Sequence, residues 1–106
     1  ITRILIDGLR PHDSIFRCGG EEFLLCLPDT GPEEARTVLE RMRQKIEEEP
    51  MLLPQGGKFH VTCSFGIAQI ALHRQIEEII ERADKSLYVA KESGRNRIRV
   101  WTAELM

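Results

Sequence analysis

Long apolar runs are absent from this sequence, and so is a start that resembles a secretory signal. The longest hydrophobic stretches are well short of the roughly 18 residues that a membrane-spanning helix needs. No basic segment followed by an apolar one opens the chain. We therefore expect a cytoplasmic location, either alone or as the cytosolic part of a membrane-anchored or multidomain protein, and no membrane contact by this segment.

Paired cysteines are also lacking. Cys18, Cys26 and Cys63 are odd in number and have no CxxC spacing beside histidine, and the three histidines form no ligand cluster. We interpret the cysteines as small buried side chains, with a reactive thiol at Cys18 as the alternative.

An excess of charge of one sign is missing as well. Lys and Arg number 15 against 17 Asp and Glu, which leaves a net charge of -2. This balance argues against nonspecific electrostatic binding to a nucleic-acid polymer or an anionic membrane. Any nucleotide must therefore bind through a local site.

What is present is enough apolar material for a core: 42% of the 106 residues are hydrophobic. The length predicts one domain or a piece of one. Ile1, Ile4, Leu5 and Leu9 follow a one-sided helical spacing that is already running at the first residue. We expect the start of this helix to lie outside the sequence.

Periodicity and turn signals predict the order helix, hairpin, helix, strand, helix, strand, which is an α+β fold with a mixed sheet. Thr30 with Glu33 is read as a capping box for the second helix, which should end before Pro50, and Gly94 should end the third. The predicted hairpin strands are 15–18 and 23–27. A loop is predicted over 51–58, followed by a strand over 59–71 with a bulge at Gly66. A last, edge strand is predicted over 97–101.

The hairpin turn carries the most suggestive chemistry. Gly19 and Gly20 allow a backbone to approach a bulky ligand, and Glu21 and Glu22 follow directly as hard oxygen donors. Triphosphates are bound with Mg²⁺, which one or two protein carboxylates hold. Metal-assisted phosphoryl transfer is one interpretation, and a tight turn with two solvated glutamates is the other.

Several motifs resemble those of GGDEF-domain diguanylate cyclases, and the resemblance covers nearly the whole chain. Residues 17–23, RCGGEEF, resemble the RxGG(D/E)EF signature, and Glu at position 21 in place of Asp is a variant of active members. The other matching segments are LPDT at 27–30, VTCSFGIA at 61–68, RAD at 82–84 and KESGRNR at 91–97. The implied fold is the mixed-sheet, palm-like fold of nucleotidyl cyclases.

The resemblance implies a reaction in which two domains of a homodimer each hold one GTP and together make cyclic di-GMP. It implies that Gly19 and Gly20 approach the nucleotide, and that Glu21 and Glu22 hold Mg²⁺ or Mn²⁺, with Glu21 also helping to deprotonate the 3′-hydroxyl. Lys91 and Arg95 match family positions that bind the triphosphate. A solvated helix end favoured by the helix dipole is the alternative for these two cations.

A second site is implied upstream. Arg10 and Asp13 form an RxxD that is separated from Gly19 by five intervening residues, the family spacing of the inhibitory product site, and Arg41 matches an arginine that completes it. The planar fork of arginine suits contacts with guanine edges and phosphates. The alternative is a turn-forming Pro-x-Asp beside a surface arginine.

The family's N-terminal DxLTGLxNR segment and its first metal-binding aspartate strand do not occur within residues 1–106. We therefore expect a partial GGDEF domain that lacks its central strand, is inactive by itself and is prone to swapping through unpaired strand edges. Two other functions stay open: a catalytically silent module that binds cyclic di-GMP, and an interaction scaffold. The sequence does not identify an upstream sensory domain or a following phosphodiesterase domain.

Overall fold

The computed structural model describes residues 2–19 and 22–102. Along the chain, these residues form α1 (Thr2–Asp7), β1 (Ser14–Gly19), β2 (Glu22–Cys26), α2 (Pro32–Glu48), β3 (Met51–Leu52), β4 (Lys58–Phe59), β5 (Phe65–Ile67), α3 (Ile76–Glu92) and β6 (Ile98–Val100). Within this part, β1 and β2 pair antiparallel, β3 and β4 pair antiparallel, and β5 and β6 pair parallel. The mixture of helices and small sheets confirms the predicted α+β class.

One face of α2 forms the centre of the core. Its buried residues recur at spacings of four, three and four, as a helix packed on one side requires. They are joined by buried side chains from α1, β5 and β6, so that the whole cluster comprises Leu5, Ala35, Leu39, Met42, Ile46, Ile67 and Ile98. Met42 and Ile46 are 2% and 0% exposed, and burying one such side chain stabilises a fold by about 1.5–3 kcal/mol.

The helix α3 packs directly on the strand β5 at Gly66. A Cβ atom at this position would lie 2.2 Å from the carbonyl oxygen of Ala83 and 2.4 Å from the backbone nitrogen of Leu87. Because both neighbours are backbone atoms of α3, neither can move aside without shifting the helix. The glycine is therefore needed for close helix-to-strand contact. The bulge predicted at this position does not occur, because Gly66 pairs regularly with Arg99.

Trp101 packs where β6 ends. Its backbone N–H donates to the carbonyl oxygen of Ile67 at 2.7 Å, and the guanidinium of Arg82 lies 4.0 Å from the centroid of its ring. A cation over an indole face is a favourable arrangement. These contacts tie the end of β6 to both β5 and α3.

The predicted strand over 59–71 is wrong in its extent. Within the described residues only Phe65–Ile67 pairs with β6, while Lys58–Phe59 pairs with Met51–Leu52 in a short hairpin where a loop was predicted. Val61 and Cys63 are half-buried, as their alternation indicated, but burial of alternate side chains does not require a partner strand.

The predicted capping box at Thr30 is also wrong. The N-cap of α2 is Gly31, which has no side chain to cap with, and Pro32 occupies the first turn. The hydroxyl of Thr30 instead donates to the carbonyl oxygen of Pro28 at 2.9 Å and accepts a hydrogen bond from Arg10. The side chain expected to cap the helix is thus engaged in the loop before it.

Cys26 and Cys63 are half-buried free thiols, and the side chain of Cys18 lies outside the described residues. Burial raises the pKa of the Cys63 thiol to about 11, so that it stays protonated at neutral pH and is a poor nucleophile. In the described part, no helix is long and apolar enough to cross a membrane.

We predict that Gly66→Ala destabilises the protein by about 3 kcal/mol or more, because the added methyl group would overlap backbone atoms of α3. Urea unfolding would measure the change. Gly31→Ala is the matched control, since no atom lies within 4 Å of the place that its methyl group would occupy and its φ is -77°; it should cost less than about 1 kcal/mol. Equal losses in the two variants would contradict the packing assigned to Gly66.

Candidate active site

The hairpin β1–β2 brings the ends of the glycine and glutamate motif together. Its register pairs Arg17 with Phe23 and Gly19 with Glu22, with an irregularity between Arg17 and Gly19. Across the two strands, the guanidinium of Arg17 lies 5.6 Å from the centroid of the Phe23 ring. Gly19 and Glu22 therefore lie side by side at the same end of the hairpin.

Glu22 is exposed at this end of the hairpin. Gly20 and Glu21, the other two predicted site residues of the motif, lie outside the described residues. In the part that the structure describes, no group of three or more His, Cys, Asp or Glu side chains could hold a metal ion. Glu21 and Glu22 are consecutive in the sequence, and Mg²⁺ takes one or two protein carboxylates and fills its other positions with phosphate oxygens and water.

The two predicted triphosphate ligands lie at the C-terminal end of α3. Lys91 is in the last helical turn and half-buried, whereas Arg95 is exposed in the turn that follows. Neither forms an ion pair with a carboxylate of the described residues. In the described part of the structure neither cation is thus neutralised by a carboxylate, which is compatible both with the predicted triphosphate contact and with the alternative of a solvated helix end.

The turn after α3 has an unusual backbone. Gly94, Arg95 and Asn96 have φ values of 125°, 61° and 48°, which lie in the left-handed region. The N–H of Arg95 donates to the carbonyl oxygen of Ala90 at 3.0 Å, which closes the end of the helix. The chain then enters β6 after Arg97, whose guanidinium occupies the space that a Cβ at position 94 would take.

Arg10 and Asp13 of the predicted inhibitory site are bound to each other. The backbone N–H of Arg10 donates to Asp13 Oδ2 at 2.8 Å, and Nε and Nη2 donate to Oδ2 and Oδ1 at 3.2 and 3.1 Å. These hydrogen bonds from Arg10 hold the pKa of the Asp13 carboxyl below its usual range. The side chain of Asp13 is 2% exposed against 39% for Arg10, so the arginine is the member that solvent and ligands reach.

Arg10 also joins the loop after β2 to α2. Its Nη2 donates to the carbonyl oxygen of Pro28 at 3.2 Å and to the hydroxyl of Thr30, and its Nη1 lies 3.8 Å from Glu34 Oε2. Arg41 is exposed on α2 and follows Glu34 by seven residues, which is two turns or about 10 Å along the same helix face. The structure thus brings Arg10 and Asp13 into contact and leaves Arg41 on the same side of the molecule, farther along the helix.

Comparison with known proteins agrees with this geometry. The family described as "Diguanylate cyclase, GGDEF domain" matches residues 1–97. The chain belongs to the GGDEF family. This confirms the resemblance that the hairpin motif and its flanking segments indicated.

A curated GGDEF relative is Diguanylate cyclase DosC of Escherichia coli strain K12. It is 33% identical over 105 residues, which are 99% of this chain and 23% of DosC. The chain therefore spans less than a third of that relative. The similarity defines a domain family and leaves most of the length of DosC without a counterpart here.

Solved GGDEF structures have the same fold. The GGDEF domain of DgcB from Caulobacter crescentus, in complex with c-di-GMP, superposes with a TM-score of 0.88 at 27% identity and covers 92% of this chain and 58% of that one. The active GGEEF domain of a diguanylate cyclase from Vibrio cholerae gives a TM-score of 0.82 at 30% identity, covering 95% of this chain and 64% of that one. The second of these carries the same GGEEF variant of the motif.

The sequence did not single out three residues that the structure connects to the candidate site. Asn96 lies in the turn that carries Arg95, and its side chain contacts Arg43 and Glu47 of α2. The signals at this position were its place in the family-like segment 91–97 and the residue type, because asparagine tolerates left-handed backbone better than most residues do. Its partners lie 53 and 49 residues away in sequence, beyond the reach of any local pattern.

Proposed function

We propose that this chain is the C-terminal part of a diguanylate cyclase domain, which condenses two GTP molecules to cyclic di-GMP. The observation that carries the proposal is the GGEEF segment of a GGDEF-family chain, with Gly19 and the exposed Glu22 paired at one end of the β1–β2 hairpin. The relatives reported above are named as diguanylate cyclases, which supports the same reaction here.

In the proposed reaction, the 3′-hydroxyl of each GTP attacks the α-phosphorus of the other. A new ester bond forms at each α-phosphorus, pyrophosphate leaves, and the hydroxyl proton is lost. Since each domain holds one nucleotide, a homodimer supplies the complete active site. The domain's task is to position the two reactants and stabilise charge, which are the main contributions to phosphoryl-transfer catalysis.

Each residue of the motif has a distinct role in this proposal. Gly19 and Gly20 let the backbone approach the nucleotide, because a glycine presents no side chain. Glu21 and Glu22 hold Mg²⁺ or Mn²⁺, and Glu21 also assists removal of the 3′-hydroxyl proton. When bound, the divalent ion neutralises phosphate charge and polarises the phosphoryl oxygens.

Lys91 and Arg95 bind the triphosphate. Arg95 is exposed at the end of α3, and neither cation pairs with a carboxylate among residues 2–19 and 22–102. A triphosphate would supply the negative charge to pair with these two cations, which have no carboxylate partner among the described residues. Charge-assisted hydrogen bonds to phosphate are about twice as strong as neutral ones, so these contacts can anchor the nucleotide.

We propose further that residues 1–106 are a partial domain and that segments outside them complete the active site. The chain covers 58% and 64% of the two solved GGDEF chains described above, which supports this division. Without the remaining ligands the nucleotide loses a main anchor, so the 106 residues alone should have negligible cyclase activity. Cytoplasmic GTP is the substrate in this proposal, and the segment contacts no membrane.

We also propose that cyclic di-GMP inhibits the enzyme at a site formed by Arg10, Asp13 and Arg41. The mostly buried Asp13 carboxylate fixes the orientation of the Arg10 guanidinium, which is the more exposed member of the pair. A planar cation held in one orientation suits guanine edges and phosphates. The solved complex of DgcB with c-di-GMP supports a product site in the family.

The catalytic proposal predicts that Glu21→Ala lowers cyclic di-GMP synthesis by about a hundredfold or more, because the variant loses both a metal ligand and a group that assists proton removal. The full-length protein that carries these residues would be incubated with GTP and Mg²⁺, and the product measured by chromatography. Glu48→Ala, at an exposed position near the end of α2, is the control and should keep full activity. If the unaltered protein makes no product yet binds cyclic di-GMP, it is a silent binding module; if it does neither, an interaction scaffold remains.

The inhibitory-site proposal predicts that Arg10→Ala and Arg41→Ala each weaken cyclic di-GMP binding by about tenfold or more, since each loses a charge-assisted contact. Calorimetric titration measures the affinity. Arg41→Ala is the sharper variant, because Arg41 is exposed and has no ion pair with a described residue, so its loss should leave the fold intact. Arg74→Ala removes an exposed ion pair with Glu78 and serves as the control. Unchanged binding in both site variants would remove the RxxD segment from the product site.

A further inference from the structure

Asn96 connects the turn after α3 to two other parts of the fold. Its Oδ1 accepts a hydrogen bond from Arg43 Nη1 at 2.8 Å, and its Nδ2 donates to Glu47 Oε2 at 2.6 Å. Its backbone N–H donates to the hydroxyl oxygen of Ser64, just before β5, at 3.0 Å. One side chain in the turn is therefore held by two charged residues of α2 at the same time.

The α2 side of this cluster is itself fixed. Arg43 pairs with Glu40, to which Nε donates at 3.0 Å, and its Nη1 lies 3.5 Å from Glu47 Oε1. The Arg43 side chain is 13% exposed, so its guanidinium is largely withdrawn from water. The hydrogen bond from Arg43 lowers the pKa of the Glu40 carboxyl. Asn96 thus contacts a donor, Arg43, and an acceptor, Glu47, whose positions on α2 are already fixed by their own contacts.

Arg95, the residue before Asn96, has a backbone conformation that non-glycine residues seldom adopt. Arg95 has a φ of 61° and is not glycine, and an ordinary residue in this region is strained. Asn96, at 48°, is of a type that adopts this conformation more readily. The strained residue is the one whose exposed cation is assigned to the triphosphate. Strain of this kind persists only where surrounding contacts determine the conformation.

We propose that Asn96, Arg43 and Glu47 are positioning residues for GTP binding. They hold the turn in its left-handed conformation and so direct Arg95 toward the triphosphate, while none of the three touches the nucleotide. This inference rests on the proposed cyclase function and adds to it a role for α2, which carries none of the motif residues assigned to substrate. The alternative is that the cluster only joins α2 to β6 and stabilises the fold.

A double-mutant cycle separates the two roles. In the full-length protein, Asn96→Ala should raise the KM for GTP about tenfold while kcat falls by less than about threefold, as expected for loss of binding that the ground state and the transition state share. Arg95→Ala should have at least as large an effect on KM. If Asn96 acts through Arg95, adding Asn96→Ala to Arg95→Ala should raise KM no further, whereas independent effects would multiply.

Glu47 provides a second test that avoids altering the strained turn. Glu47→Ala removes the acceptor of Asn96 Nδ2 and should raise KM several-fold, and Glu47→Gln keeps an oxygen acceptor and should restore most of the affinity. Glu78→Ala, on α3, breaks the exposed ion pair with Arg74, which precedes that helix, and is the matched control, with no expected change in KM. These variants keep the proposal testable if Asn96→Ala does not fold.

Calorimetric binding of a nonhydrolysable GTP analogue with Mg²⁺ supplies a readout independent of turnover, and it should follow the same order as KM. An active protein in which the Asn96 and Arg95 effects multiply would overturn this inference and leave the proposed function intact. The same holds if Glu47→Ala changes only the free energy of unfolding. An unaltered protein that neither binds the analogue nor makes product would overturn both proposals.

Discussion

The burial of one face of α2 is the constraint on which the rest of the structure depends. Met42 and Ile46 lie at the centre of the core, and Met42 is so close to Gly8, the residue after α1, that a Cβ there would lie 2.7 Å from its Cε. Because this packing fixes the rotation of the helix, it also fixes where its polar edge points. Glu34 then faces Arg10, and Arg43 and Glu47 face Asn96. A single buried stripe thus sets the surroundings of both the proposed product site and the proposed triphosphate site.

Much of the fold could be predicted from local patterns, because its helices and hairpin follow local rules. The helical periodicity, Pro50 and Gly94 indicated α2 and α3 with ends close to those observed, and the glycine pair indicated the β1–β2 hairpin. The strand over 59–71 could not be predicted correctly, since alternation reports which side chains are buried and not which backbone has a partner. Thr30 failed as a cap for a related reason: its hydroxyl is engaged by Arg10, 20 residues earlier in the chain.

The candidate site likewise contains residues that local motifs predicted and residues that only the tertiary structure connects. Glu22, Lys91, Arg95, Arg10 and Asp13 belong to short motifs, and the structure pairs Arg10 with Asp13 and exposes Glu22 and Arg95. The cluster around Asn96 is formed by contacts between distant parts of the chain, and no single sequence contains a signal for those pairings. The close packing at Gly66 was likewise hidden, because a glycine in a strand predicts a bulge as readily as a close contact. The motifs therefore led to the proposed binding residues, and the tertiary structure led to the residues proposed to orient Arg95.

The most direct test of the account is a crystal structure of the full-length protein with a nonhydrolysable GTP analogue and Mg²⁺. We expect the nucleotide against the backbone of Gly19 and Gly20, the metal ion on Glu21 and Glu22, and the triphosphate within hydrogen-bond distance of Lys91 and Arg95. A nucleotide bound elsewhere, with the hairpin end and the turn after α3 both unoccupied, would contradict it.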